Sequence, residues 1–182
     1  MCSQAISEAA DRLAQASKTG ETCAPIRDLI GREDIDAAYR VQSRNIEVLL
    51  ASGRRIIGRK IGLTSPAVQH QLGVDQPTLG CCSTTWIVRT TPRWTSRVCC
   101  NPRSRPRSPS FFEPTLPSGS LLSRRRSSWT GVFAAFEIVD SRVANWDISL
   151  ADTVADNASA GLYVLGGSEW TESMLPTSPR SR

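Results

Sequence analysis

GRKIGLTSPAVQHQLGVDQPTLG, running from Gly58 to Gly80, and EIVDSRVANWDISLADTVADNASAGLYVLGG, from Glu137 to Gly167, are the two stretches whose reading decides the fold. In the first, the run RIIGRKIGL (Arg55 to Leu63) is short, β-branched and broken by Gly58 and Gly62, which predicts a strand. A helix start follows at once. Thr64 or Ser65 can cap, Pro66 suits the first helical position, and Gly73 sits just past Leu72. Lys60 is thus placed at a strand end just ahead of a helix N-terminus, where free backbone N–H groups favour a carboxylate.

The second stretch continues an apolar run, VFAAFEIV (Val132 to Val139), which reads as a buried strand carrying one charge, Glu137. An ionised carboxylate in an apolar strand is costly unless a cation or hydrogen bonds meet it. Asp140, Ser141, Arg142, Asn145 and Asp147 then form a polar turn around Trp146. DTVADNAS (Asp152 to Ser159) is a further polar, small-residue stretch, and the apolar residues from Gly161 to Leu165 predict another strand.

Upstream, Ile6, Ala9, Ala10, Leu13 and Ala14 recur at helical spacing between Ser3 and Ser17, with Gly20 as the stop. A loop containing Pro25 follows. A second helix is predicted from Asp34 to Ser52, with the stripe Ile35, Ala38, Tyr39, Ile46, Leu49 and Leu50, ended by Gly53. Both stripes read as core. Between the two deciding stretches, residues 81–130 have no usable period and are dominated by Ser, Thr, Pro and Arg, which predicts a disordered basic linker.

That segment also explains the charge. It holds 9 of the 22 basic residues and one, Glu113, of the 17 acidic ones, a net +8 against −3 for the rest of the chain. The overall +5 is therefore local, and does not mark the whole protein as a partner of nucleic acid or membrane. Four of the six cysteines fall in it as the adjacent pairs Cys81–Cys82 and Cys99–Cys100. Adjacent cysteines point apart, unlike the C-x₂₋₄-C spacing of zinc sites, so no zinc site is expected. The N-terminus lacks the basic start and apolar core of a signal peptide, and no run of 18 apolar residues occurs, so a cytoplasmic protein without disulfides is expected.

The two deciding stretches, with AAYRVQSRN (Ala37 to Asn45), strongly resemble the 2-oxopent-4-enoate (2-hydroxypenta-2,4-dienoate) hydratases, which share the fumarylacetoacetase-like fold with the 4-oxalocrotonate decarboxylases. The match covers roughly residues 24–80 and 131–167. The resemblance implies an α+β fold with N-terminal helices (1–53) followed by a mixed β-roll, incomplete in this chain. It implies one domain over 1–182, with a catalytic core at 54–80 and 131–167 and aberrant segments at 81–130 and 168–182. After Gly167 the resemblance fades, and the C-terminal portion that completes the fold is expected to be missing.

The resemblance also implies a divalent metal, Mg²⁺ or Mn²⁺, held by three glutamates, of which Glu137 matches the third. The first two come from an E-x-E strand about thirty residues earlier, and Arg103-Ser-Arg-Pro-Arg-Ser108 stands there instead. Lys60 is the candidate for contacting the substrate's carboxylate or enolate oxygen, and Ser159 for positioning water or substrate. Thr78 stands where the family usually has Asp. The implied reaction is hydration of 2-hydroxypenta-2,4-dienoate to 4-hydroxy-2-oxopentanoate in the meta-cleavage pathway, by a cytoplasmic homo-oligomer that supplies a downstream aldolase. The related decarboxylase is the alternative enzyme. With its carboxylate pair absent, this copy is expected to be inactive, and an interaction protein or inactive remnant is the reading from another class.

A reading-frame offset accounts for the aberrant segment. If Ser104 to Ser108 are encoded TCG AGG CCG AGG TCG after a codon ending in G, entry at that G reads Val-Glu-Ala-Glu-Val. If Cys81 to Trp86 are encoded TGC TGT TCG ACG ACA TGG, entry at the last base of Cys81 reads Leu-Phe-Asp-Asp-Met, which the family shows after its turn. Both need the same offset. The coding DNA is therefore predicted to carry one gained or lost base near codon 80 and a compensating change before codon 131. Sequencing that finds no E-x-E strand in the offset frame rejects this account.

Overall fold

The computed structural model describes residues 3–72, 74–83, 87–88, 100–106, 110–111 and 132–170. Three helices open the chain: α1 (Ser3–Thr19), the single turn α2 (Arg27–Ile30) and α3 (Ile35–Ala51). The alanine-rich stripes of α1 (Ala9, Ala10, Leu13, Ala16) and α3 (Ala37, Ala38, Val41) are the faces they bury, and small side chains there let helices approach closely. Asp34 caps α3 by accepting from the Ala37 N–H at 2.8 Å, satisfying a donor the helix itself cannot. Ile26, Ile30, Val143, Ala151 and Val154 complete this core. Each fully buried aliphatic side chain such as Ile30 or Val41 contributes about 1.5–3 kcal/mol.

Strand β1 (Ile56–Gly62), helix α4 (Pro66–Leu72) and strand β2 (Thr78–Ser83) form a unit in which β1 and β2 pair antiparallel, with Lys60 opposite Gly80 and Gly62 opposite Thr78. The remaining strands are β3 (Ile87–Val88), β4 (Pro102–Pro106), β5 (Ser110–Phe111), β6 (Val132–Asp140) and β7 (Ala160–Trp170). They form one sheet in the order β3-β7-β6-β4, with β5 also on β6; the β3–β7 pairing is parallel and the rest antiparallel. Helix α5 (Leu150–Ala155) connects β6 to β7 and packs on α3. The α+β class read from the sequence holds. Among the described residues no helix is long and apolar enough to cross a membrane.

Two local expectations are corrected. The linker predicted over 81–130 contains strand residues at 81–83, 87–88, 102–106 and 110–111, with a bend at Cys100 and Asn101. Strands β1, β7 and β6 offer ladders of backbone groups that any sequence able to extend can satisfy, and the two prolines of β4 stand at its ends, where a missing N–H costs least. Second, the polar stretch Asp152 to Ser159, left without an assigned element, is helical in its first half, where Asp152 to Ala155 belong to α5. Its start is a capping box, in which Ser149 accepts from the Asp152 N–H at 3.2 Å and Asp152 accepts from the Ser149 N–H at 2.8 Å.

Asp152 does more than cap. Its side chain is fully buried and accepts from the Ile26 and Arg27 N–H groups at 2.8 and 3.0 Å, the Arg27 guanidinium at 2.9 Å and the Ser149 hydroxyl at 2.8 Å. One carboxylate thus joins the start of α2 to the start of α5. Burial pushes its acidity the other way, but the hydrogen bonds from Ser149 and Arg27 outweigh it and hold the carboxyl below its ordinary value. A lowered folded-state value gives stability that is present above the unfolded value and lost as pH falls through the folded one, so the loss occurs below about pH 4. Asp152→Asn is expected to destabilise the chain by about 3–5 kcal/mol near neutral pH and to remove this acid-side loss. Denaturant titrations at several pH values check it, and a variant within 1 kcal/mol of wild type refutes the role.

Candidate functional site

In an antiparallel pair, directly opposed residues share a face and alternate along the strand. The β1–β2 register therefore puts Gly58, Lys60 and Gly62 on one face with Thr78, Gly80 and Cys82. Arg59, Ile61, Leu79 and Cys81 occupy the other face, where Ile61 and Leu79 stay about half exposed. The first face meets the second sheet. Lys60 Nζ lies 2.5 Å from Glu137 Oε1 on β6, with side-chain exposures of only 10% and 13%. The carboxylate that the sequence placed awkwardly inside an apolar strand thus meets an ammonium from the other sheet. Burial pushes the neighbouring Cys82 thiol up to about 11, with Lys60 opposing and Glu137 adding, so it is a neutral thiol at physiological pH. Tyr163, the register partner of Glu137 on β7, has its phenol raised by burial and stays protonated.

A left-handed turn forms the third wall. Asn157, Ala158 and Ser159 have φ of 53°, 56° and 53°, a region that costs residues with side chains about 1–2 kcal/mol each. Arg142 grips both ends of the turn. Its backbone N–H donates to Asp156 Oδ2 at 3.0 Å and its Nε to Oδ1, while Nη2 donates to the Asp156 carbonyl and Nη1 to the Ala160 carbonyl, both at 2.7 Å. Asn157 fixes the turn against β2, accepting from the Cys81 N–H at 2.8 Å and donating to the Cys81 carbonyl at 2.9 Å. Gly80 makes room for this contact. A Cβ there would lie 2.7 Å from the Asn157 carbonyl oxygen and 2.9 Å from Lys60 Cγ. At Gly62 it would lie 2.6 Å from Thr78 Oγ1.

Lys60 and Glu137 are therefore brought into direct contact, and Ser159 sits in the turn that abuts the strands carrying Lys60 and its neighbour Gly80. Two hydroxyls here, Thr78 Oγ1 and Ser159 Oγ, are buried and have no hydrogen-bond partner among the described residues. Buried hydroxyls normally have one, so both are available to a water or ligand. Arg105 is the register partner of Glu137 on β4, and Arg107 lies outside the described residues. The sequence reading missed Arg142, Asp156 and Asn157 as the supports of Ser159. The available signal was the Asp156-Asn157 pair four residues past the capping-box Asp152, with Arg142 just after an apolar strand.

No family model matches the chain. It is 43% identical over 166 residues to "2-keto-4-pentenoate hydratase 1" of Dechloromonas aromatica (strain RCB), covering 87% of this chain and 61% of that protein. To the "2-hydroxypent-2,4-dienoate hydratase" of Pseudomonas putida it is 37% identical over 163 residues, covering 88% of this chain and 73% of that one. Among solved structures it resembles 4-oxalocrotonate decarboxylase from Pseudomonas putida G7, complexed with magnesium and adipate, with a TM-score of 0.80 over 96% of this chain and 67% of that one. The identity there is 21%, so this likeness concerns the fold. The chain spans 61% of the length of the first of these curated relatives.

The close approach at Gly80 yields a direct test. Gly80→Ala must push the left-handed turn away from β2, because a backbone oxygen cannot rotate aside. The expected cost is about 1–3 kcal/mol, read as a lowered unfolding midpoint. A Gly80→Ala variant as stable as wild type means that the turn does not bear on β2 as described.

Proposed function

The chain belongs to the 2-keto-4-pentenoate (2-hydroxypent-2,4-dienoate) hydratase family, and on that premise we propose that its site is built to add water to 2-hydroxypenta-2,4-dienoate, giving 4-hydroxy-2-oxopentanoate. The observation that carries this reading is the cation–carboxylate contact of Lys60 and Glu137 beside two unpartnered buried hydroxyls. An isolated carbon–carbon double bond resists water. The dienol avoids this by losing its enol proton and gaining one at C5, which gives an enone; water then adds at C4 and a proton at C3. Charge develops on the C2 oxygen in these steps, and a preorganised cation in a poorly hydrated site stabilises it. Lys60 Nζ is the cation for the C1 carboxylate or the C2 oxygen. Ser159 Oγ, fixed by the left-handed turn, holds the incoming water.

Glu137 as a metal ligand needs companions, since magnesium and manganese take several oxygen donors. Among the described residues no three His, Cys, Asp or Glu side chains converge, and Lys60 already stands on Glu137. The described residues do not fit a carboxylate-built metal site, so no step is derived through one. The relatives at 37–43% identity carry hydratase names, which favours hydration over the decarboxylation of the fold neighbour. The product is a β-hydroxy ketone, the chemistry a retro-aldol enzyme consumes, which supports an aldolase as the next partner. A cytoplasmic homo-oligomer completes the proposal.

The test has two arms. A gene restored to the offset frame is expected to consume the dienoate and form 4-hydroxy-2-oxopentanoate, identified by NMR. There Lys60→Met should lower kcat/KM at least about 100-fold, the scale of losing one charge-stabilising donor. The chain as written is expected to turn over well below 1 s⁻¹, the low end of typical enzymes. Carbon dioxide without hydrated product from the restored protein gives the decarboxylase instead, and no consumption by it sinks the hydratase reading.

A further inference from the structure

The carboxylate of Glu137 is already neutralised from within the fold. Lys60 Nζ lies 2.5 Å from Oε1 in a contact that is nine-tenths buried on the lysine side. Neither strand beside β6 sets an acid opposite it: its register partners are Arg105 on β4 and Tyr163 on β7. Elsewhere among the described residues there is no group of three ligating side chains. Of the 17 acidic residues Glu113 and Glu172 lie outside the described residues, Glu169 is described by its backbone alone, and the one histidine, His70, is exposed on α4. The 4-oxalocrotonate decarboxylase of the same fold, by contrast, was solved with magnesium.

We propose that in this chain the Lys60 ammonium takes over the neutralising role of a divalent cation at Glu137, so that the site takes up no magnesium or manganese ion there. A hard cation binds where several oxygen donors replace its hydration shell, and one carboxylate does not do that. An ammonium in contact with that carboxylate also repels the incoming double charge, the more so because the pair is shielded from water. The site is consequently left as a paired cation and carboxylate, suited to exchanging Lys60 onto the carboxylate of an organic acid. The inference does not depend on which reaction the site performs, because it is read by ion binding alone.

Manganese titration of the purified chain, followed by the electron paramagnetic resonance of the free ion, tests it. The expected result is no saturable site at Glu137 tighter than about 1 mM, the weak end of protein sites for hard cations. One tightly bound ion that is lost in Glu137→Gln overturns the proposal; an ion that stays bound in Glu137→Gln sits elsewhere and leaves it standing. A second variant asks whether Lys60 is the reason. Lys60→Gln, checked for native circular dichroism, should bind manganese at least about fivefold more tightly than wild type, because the carboxylate has lost its cation. The gain should vanish in the Lys60→Gln/Glu137→Gln double variant, which leaves a neutral pair. A folded Lys60→Gln chain with unchanged manganese affinity overturns the role given to the ammonium.

Discussion

Three successive residues with side chains, held in left-handed conformation at the junction of two sheets, are the constraint on which the rest of the structure depends. A left-handed segment of Asn157, Ala158 and Ser159 costs roughly 3–6 kcal/mol if each residue carries the usual penalty. Four donors of the Arg142 residue on Asp156 and Ala160, and the paired bonds of Asn157 with Cys81, offset it. Hydrogen bonds to charged groups contribute about 1.5–3 kcal/mol each, so the clasp is strong enough to hold the turn. Because Arg142 follows β6, Asp156 ends α5 and Ala160 begins β7, the same clasp fixes how three elements meet. Cys23 extends it to the helical half, its N–H donating to the Arg142 carbonyl and its carbonyl accepting from Ala144, both at 2.8 Å.

The two sheets share no described ladder, so side chains have to join them. Asn157 does so through the backbone of Cys81, and Lys60 does so through Glu137. These contacts differ in kind. The amide is neutral and matches donor to acceptor, so it is a structural tie with little desolvation to overcome. The ion pair loses solvation on both partners, and replacing such a pair by apolar residues is often neutral or stabilising. A pair retained at that cost, beside unpartnered hydroxyls, fits a site that works on charged ligands better than it fits a device for stability.

The physical terms that act locally were legible in the sequence. Helix α4 was readable to the residue from Pro66 to Leu72, and α3 within one residue at each end, because caps and stripes are written in neighbouring positions. Glu137 was singled out by the cost of its burial, which called for a cation or hydrogen bonds without saying which, and the cation beside it is Lys60. Lys60 was marked as a site residue for a different reason, and nothing in the sequence linked it to Glu137, 77 positions away. Helix α5 was lost because its six residues are too few to show a helical stripe, although Ser149 and Asp152 spell its start. The left-handed turn was lost because its conformation is set by Arg142, which is remote in sequence from the turn it holds. Divalent metal in this fold is present in the solved neighbour, while the carboxylates of this chain's described residues do not assemble one.

The segment 81–130 shows how differently backbone and side chains carry information. A ladder between strands is made by N–H and C=O groups that every residue but proline supplies in full, so pairing with β6 requires extension and little else. Strand β4 accordingly takes up an antiparallel register with β6 although its sequence, Pro-Arg-Ser-Arg-Pro, has no apolar alternation to specify one. The topology is thereby kept, and the chemistry delivered by that strand is whatever its residues happen to be. Here the residue brought opposite Glu137 is Arg105. A fold can therefore be shared with a solved neighbour that was complexed with magnesium while the side chains along a given strand differ, since the ladder that preserves the fold is blind to them.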